Sequence, residues 1–213
     1  MEFAVKVTPP ENMKTGCLVV PVLEGAKLGK LGVQLDKACH GGLKALLALG
    51  DVEGKVGDAA LLPAPAGMDA KRVLLLGIGK AGELNESGAR KTLQKAYALA
   101  KTSKSSDVSF LIEDFDVKGR DTGWIIRQCC ELGASATYAF NQFKSKDKQS
   151  RISQVKTFFI ITSKAAQKSC TAAVRIGQAV ADAMNYARTL GNLPGNVCQP
   201  TYLAAEARKL GRS

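Results

Sequence analysis

The chain has 213 residues, 46% hydrophobic and 23% charged, with 30 Lys and Arg against 19 Asp and Glu for a formal charge of +11. These proportions exclude a disordered or fibrous polypeptide and suit one sizeable globular domain, or one domain with part of another. No apolar run approaches the roughly 20 residues that span a bilayer, and the opening MEFAVKVTPPENMKTG lacks the pattern of a signal peptide, so a cytoplasmic protein without a membrane partner is expected.

Strand-like runs occur at Glu2 to Val7, Cys17 to Val22, Ala59 to Pro65, Arg72 to Gly77, Val108 to Ile112 and Val155 to Thr162. Helical patterns lie between them. Ala89, Leu93, Ala96 and Ala100 recur at helical spacing, as do Ile125, Cys129, Leu132 and Ala136, so each segment offers one apolar stripe to a sheet. This alternation predicts an α/β layer with a mostly parallel centre, with the first strands free to pair as antiparallel neighbours. From about Ala165 to Leu190, apolar residues spaced three and four apart predict a helix of roughly seven turns, with Gly191 as its C-cap. Pro194, Gly195 and Pro200 then enforce a loop, and a short helix begins near Thr201. The expected organisation is an α/β domain over 1–163, a linker helix over 164–191 and the truncated start of a second domain over 192–213.

The stretch RVLLLGIGKAG carries Gly77, Gly79 and Gly82 in the G-x-G-x-x-G spacing of a dinucleotide-binding turn. In such a site the third glycine lies in the first turn of the helix, and an acidic residue about 20 positions on holds the ribose. Here the helix starts at Asn85 to Ser87, and the next acidic strand end, Glu113, is 31 positions beyond Gly82. Both offsets miss, which favours a tight turn and close packing over a cofactor. The carboxylates of LIEDFDVKG, namely Glu113, Asp114 and Asp116, read as a solvated turn. His40, the single histidine, reads as a surface or cap residue, which leaves no Ser-His-Asp or Cys-His arrangement. The six cysteines show no C-x-x-C spacing and are read as reduced thiols. No sequence pattern of metal ligands is present. The charge excess is compatible with a polyanionic partner, and Lys144, Lys146, Lys148 and Arg151 form its densest cluster. Lys91, Lys95, Lys101 and Lys104 lie along a helical segment and read as a solvated face.

The stretch ARTLGNLPGNVCQPTYLAAEARKL, from Ala187 to Leu210, resembles the junction of the leucyl aminopeptidase (cytosol aminopeptidase) family, where a helix, an N-L-P-P-N-x-C-x-P loop and a T-Y-L-A helix lead into the catalytic domain. RVLLLGIGK, ATYAFNQFKSK and LVVPVLEGAKLG resemble further family segments, in order over nearly the whole chain. Gly195 stands where the family usually has a second proline. The resemblance implies a three-layer, macro-domain-like mixed sheet flanked by helices and followed by a long linker helix. It implies a two-metal exopeptidase, with manganese or zinc held by a carboxy-terminal catalytic domain, acting on peptides as a homo-hexamer. The family's N-T-D-A-E-G-R segment is absent here, so no catalytic or metal residue carries over, and this chain alone is expected to hold no cofactor and to hydrolyse nothing. Some bacterial members also bind DNA, which gives the basic cluster an alternative role. The macro-domain likeness leaves room for an ADP-ribose-sized ligand near the glycine turn.

Overall fold

The computed structural model describes residues 1–145, 147 and 154–212. Its strands are β1 (Glu2–Lys6), β2 (Cys17–Leu23), β3 (Lys27–Leu28), β4 (Ala59–Pro63), β5 (Arg72–Gly79), β6 (Asp107–Leu111) and β7 (Thr157–Ile161). Its helices are α1 (Lys30–Ala38), α2 (Gly42–Leu47), α3 (Glu86–Thr102), α4 (Thr122–Thr137), α5 (Gln167–Asn192) and α6 (Pro200–Leu210). All six predicted strands are present. The two-residue β3 is the addition, too short to leave a periodic signal.

The sheet order is β1-β7-β6-β2-β5-β4, with β3 on the end of β2. β1, β7, β6, β2 and β5 run parallel, while β4 is antiparallel to β5 and β3 to β2. β1 therefore does not pair with β2 as an antiparallel neighbour. It lies parallel to β7 at the far edge, with Phe3 opposite Phe158. The burial explains the difference: β1 is exposed at both ends, as an edge strand is, whereas Cys17 to Val22 of β2 are wholly buried. A strand that is apolar on both faces needs cover above and below, which is the signature of a parallel strand between two helical layers.

Alternate residues sort into two cores. Cys17 and Val19 of β2, Leu74 and Leu76 of β5, Phe110 of β6 and Phe158 of β7 face α3, α4 and α5. Leu18, Val20 and Val22 of β2 with Leu75 of β5 face α1 and α2, where Leu35, Cys39, Leu43 and Leu47 meet them. Each such large side chain stabilises the fold by about 1.5–3 kcal/mol through burial. Tyr97 sits at the centre of the first layer, edge-on to Phe158, and its hydroxyl donates to the Cys129 carbonyl at 2.6 Å. The stripes predicted for α3 and α4 are the ones buried: Ala89, Leu93, Ala96 and Ala100 fully, as are Ile125 and Cys129. Both helices start on a side-chain cap, Asn85 accepting from the Gly88 amide and Asp121 from the Trp124 amide.

α5 spans 26 residues. Its first fifteen residues lie against the core: Cys170, Ala173 and Val174 pack into the cluster with α4 and the sheet, and Ala181 is buried as well. Gly191 lies inside the helix, and Leu193 is the C-cap, its amide bonded to the Thr189 and Leu190 carbonyls. The turn expected to stop the helix at Gly191 comes two residues later, where Pro194 forbids continuation. α6 begins with Pro200 in its first turn and is tied to α5 by the Tyr186 hydroxyl, which donates to Glu206 at 2.7 Å. No described helix is long and apolar enough to cross a membrane.

Two glycines of α5 separate helix propensity from packing. A Cβ on Gly177 would stand 2.9 Å from the Cys130 Cβ and 3.0 Å from the Arg127 Cα, while one on Gly191 would meet nothing within 4 Å. Alanine gains about 1 kcal/mol over glycine within a helix, but overpacking against a backbone atom costs typically 1–3 kcal/mol. Urea denaturation should therefore show Gly191→Ala stabilised by up to about 1 kcal/mol and Gly177→Ala destabilised.

Candidate functional site

The glycine turn is the first candidate. β5 ends in it, but its open side is filled by the chain's own backbone. The Gly77 amide donates to the Asp58 carbonyl at 2.8 Å, the Gly79 amide to the Gly54 carbonyl at 2.8 Å, and the Gly57 amide to the Gly77 carbonyl at 3.2 Å. A Cβ on Gly77 would lie 2.1 Å from the Lys55 carbonyl oxygen. Gly54, at φ +87°, is equally constrained, its Cβ position being 2.0 Å from the Leu23 carbonyl oxygen. Gly79, at φ +82°, turns the chain out of the sheet. A phosphate cradle needs free amides at this turn. Here the amides of Gly77 and Gly79 are spent on residues 54–58, and α3 begins only at Glu86, under its own Asn85 cap. The pattern serves close backbone approach.

The carboxylates after β6 are not a solvated turn. Asp114 accepts from the Leu31 amide at 3.0 Å and the Gly32 amide at 2.8 Å, and so caps α1 from 82 residues away along the chain. The α1 N-cap residue is Gly29, which has no side chain to do this, and a Cβ there would stand 2.6 Å from the Asp114 Cγ. Glu113 accepts from the Thr162 hydroxyl at 2.7 Å and the Ser163 amide at 2.6 Å, and so fixes the exit of β7. The local sequence hid both roles, because the partners are remote. The one hint was a helix that opens on glycine without a capping side chain.

Burial, which outweighs the amide bonds from Leu31 and Gly32, raises the Asp114 carboxyl above its usual range. At Glu113 burial also pushes upward, but bonds from the Ser163 amide and the Thr162 hydroxyl hold it below its ordinary value.

Other reactive groups are inert or dispersed. The cysteines are free, five of them buried. Burial pushes the Cys17 and Cys130 thiols up to about 12, so neither is a thiolate nucleophile near neutral pH. His40 is exposed at the turn between α1 and α2, with φ +51°. Among the described residues no group of three or more His, Cys, Asp or Glu is placed to hold a metal ion. Of the basic cluster, Lys144 is exposed, and Lys146, Lys148 and Arg151 lie outside the described residues.

Comparison with known proteins fixes the context. Residues 19–147 match the family model described as the cytosol aminopeptidase family, N-terminal domain. The chain belongs to the cytosol aminopeptidase family. It is 41% identical over 213 residues to a probable cytosol aminopeptidase of Azotobacter vinelandii, a match that covers 100% of this chain and 42% of the relative. A probable cytosol aminopeptidase of Vibrio parahaemolyticus is 38% identical over 210 residues, again with 42% of its length covered. The chain thus spans well under half the length of the relatives it matches. A mutant of tomato leucine aminopeptidase shares the fold, with a TM-score of 0.73 at 21% identity over 100% of this chain and 42% of that one. The bottromycin maturation enzyme BotP shares it at TM-score 0.67 and 19% identity, covering 92% of this chain and 37% of BotP.

The Glu113 contacts give a pH signature. A carboxyl held below its ordinary value of 4.5 stabilises the fold at higher pH, and that contribution is lost as pH falls through the lowered value. Chemical denaturation should show Glu113→Gln less stable than the parent near neutral pH, by about 1 kcal/mol. The difference should shrink as the pH falls below 4.5.

Proposed function

We propose that this chain is the noncatalytic amino-terminal domain of a two-metal aminopeptidase, with residues 1–163 as the α/β unit, 164–191 as a linker helix and 192–213 as the first part of the catalytic domain. The observation that carries this reading is the family match over 19–147, combined with a relative aligned along the whole chain and extending far beyond it. The described residues do not suit the two metals of the reaction, since they offer no ligand cluster, and one solved neighbour, BotP, is described as a complex with Mn. In this reading manganese or zinc, and the chemistry of peptide hydrolysis, belong to a carboxy-terminal catalytic domain. The present chain supports assembly as a hexamer in the cytoplasm and shapes the approach of peptide substrates. The apolar side chains left exposed on α5 and α6, among them Ile176, Val180, Met184, Leu203 and Leu210, suit contact with that further domain.

Leucine p-nitroanilide hydrolysis with manganese or zinc supplied tests this directly. The 213-residue chain should show no turnover, and a protein that continues it to the length of its relatives should turn over the substrate. Turnover by the 213 residues alone would place the metal site within them and overturn the reading.

The formal charge of +11 supports a second reading, as a DNA-binding module that acts through Lys144, Lys146, Lys148 and Arg151. In that case duplex DNA is retarded at low salt, affinity falls steeply as salt rises, and changing the three lysines to Glu abolishes it. Failure to shift duplex DNA at low salt removes this reading and leaves the first intact.

A further inference from the structure

The parallel strands β6, β2 and β5 are neighbours, so the three loops that lead into them meet at one edge of the sheet, opposite the glycine turn. They enclose a cleft of about 690 Å³. Four cations line it: Lys14 before β2, Lys71 and Arg72 at the start of β5, and Lys104 before β6. Two carboxylates, Asp69 and Asp107, also line it. Asp107 is already engaged, since its Oδ2 accepts from the Thr15 hydroxyl at 2.6 Å and the Gly16 amide at 3.2 Å, and its Oδ1 accepts from the Ser106 hydroxyl at 3.2 Å.

Some cations elsewhere on the surface are paired with carboxylates: Arg90 and Arg120 share Glu86, Lys55 meets Glu53 and Lys209 meets Glu206. Among the described residues, none of the four cleft cations lies within salt-bridge distance of a carboxylate. Four cations against two carboxylates leave the concavity with an excess of positive charge, which an entering anion would offset.

Lys104 adds an independent observation. It follows the C-cap of α3, Ser103, with φ +55°, the left-handed position that glycine takes most readily after a helix. A lysine here is held against its backbone preference, and it supplies one of the charges of the cleft.

We propose that this cleft binds a small ligand that carries two or more phosphate groups. The lining suits linked phosphates better than a lone carboxylate, because the guanidinium of Arg72 can engage an oxyanion through two N–H donors while three ammonium groups neutralise further charge. The cavity is of ordinary small-ligand size. It has no aromatic residue in its lining on which the bases of a nucleic-acid strand would stack.

Inorganic triphosphate is the probe, titrated calorimetrically into the 213-residue chain at low ionic strength. Saturable binding at one site is expected. The double variant Lys71→Ala/Lys104→Gly should weaken it at least tenfold, because each removed cation takes away a charge-assisted bond. Lys104→Gly alone should raise the melting temperature while it lowers affinity, a split that a purely structural lysine would not produce. The control Lys164→Ala/Lys168→Ala removes the same charge from the α5 end and should leave affinity unchanged. Absence of saturable binding by the parent, or equal weakening in both double variants, would overturn the proposal. So would a duplex DNA that needs Lys71 and Lys104 when triphosphate does not bind, since the phosphates would then belong to a nucleic-acid backbone.

Discussion

The contact on which the architecture turns is the backbone crossing of residues 53–58 over the end of β5. Three elements are joined there, two of them through main chain alone. β2 enters it through the Glu24 amide, which donates to the Gly79 carbonyl, and the Gly25 amide, which donates to the Glu53 carbonyl. β4 leaves it directly, so the alignment of Ala59 with Leu76 follows from the Gly77 and Asp58 bond one step earlier. α3 is fastened to it by the Thr92 hydroxyl, which donates to the Gly77 carbonyl at 3.3 Å. Main chains approach this closely only where no Cβ intervenes, and Gly54 and Gly77 are the residues that permit it.

That crossing also decides what the turn is for. A strand that ends in spaced glycines can present its amides to a phosphate or to its own chain, and these uses exclude each other. Here the amides of Gly77 and Gly79 are bonded to the chain. The same economy recurs at Asp114 and Glu113, whose carboxylates look available in the sequence but hold α1 and the exit of β7 in place. The amides of Gly77 and Gly79 and the carboxylates of Glu113 and Asp114, all near the carboxyl ends of the strands, are thus committed to folding. The four cations of the cleft lie at the opposite ends of the strands.

The α/β layering was legible because its signals are local. The apolar runs of β2 and β5 are dense enough to require cover on both faces, and the stripes of α3 and α4 have a clean helical period. What escaped was whatever depends on a remote partner. The edge position of β1 is set by β7, some 150 residues later in the chain. The glycine spacing fits two uses until residues 54–58 are seen to fill the gap. Gly191 looked like a stop because a glycine before Pro194 is a common helix end, yet the helix continues to Asn192 since nothing forces the turn earlier. The family likeness at the α5–α6 junction was legible from the residues alone, whereas the four cations of the cleft come from three loops far apart in sequence and had no common signal.

Amide hydrogen exchange at Gly57, Gly77 and Gly79, followed by NMR with and without ADP-ribose, tests the central claim most directly. All three amides are bonded to main-chain carbonyls, so they should exchange as slowly as the amides of β2, with rates and chemical shifts unchanged by the nucleotide. Rapid exchange in the free chain that becomes slow when ADP-ribose is added would contradict it, because the turn would then be an open phosphate cradle.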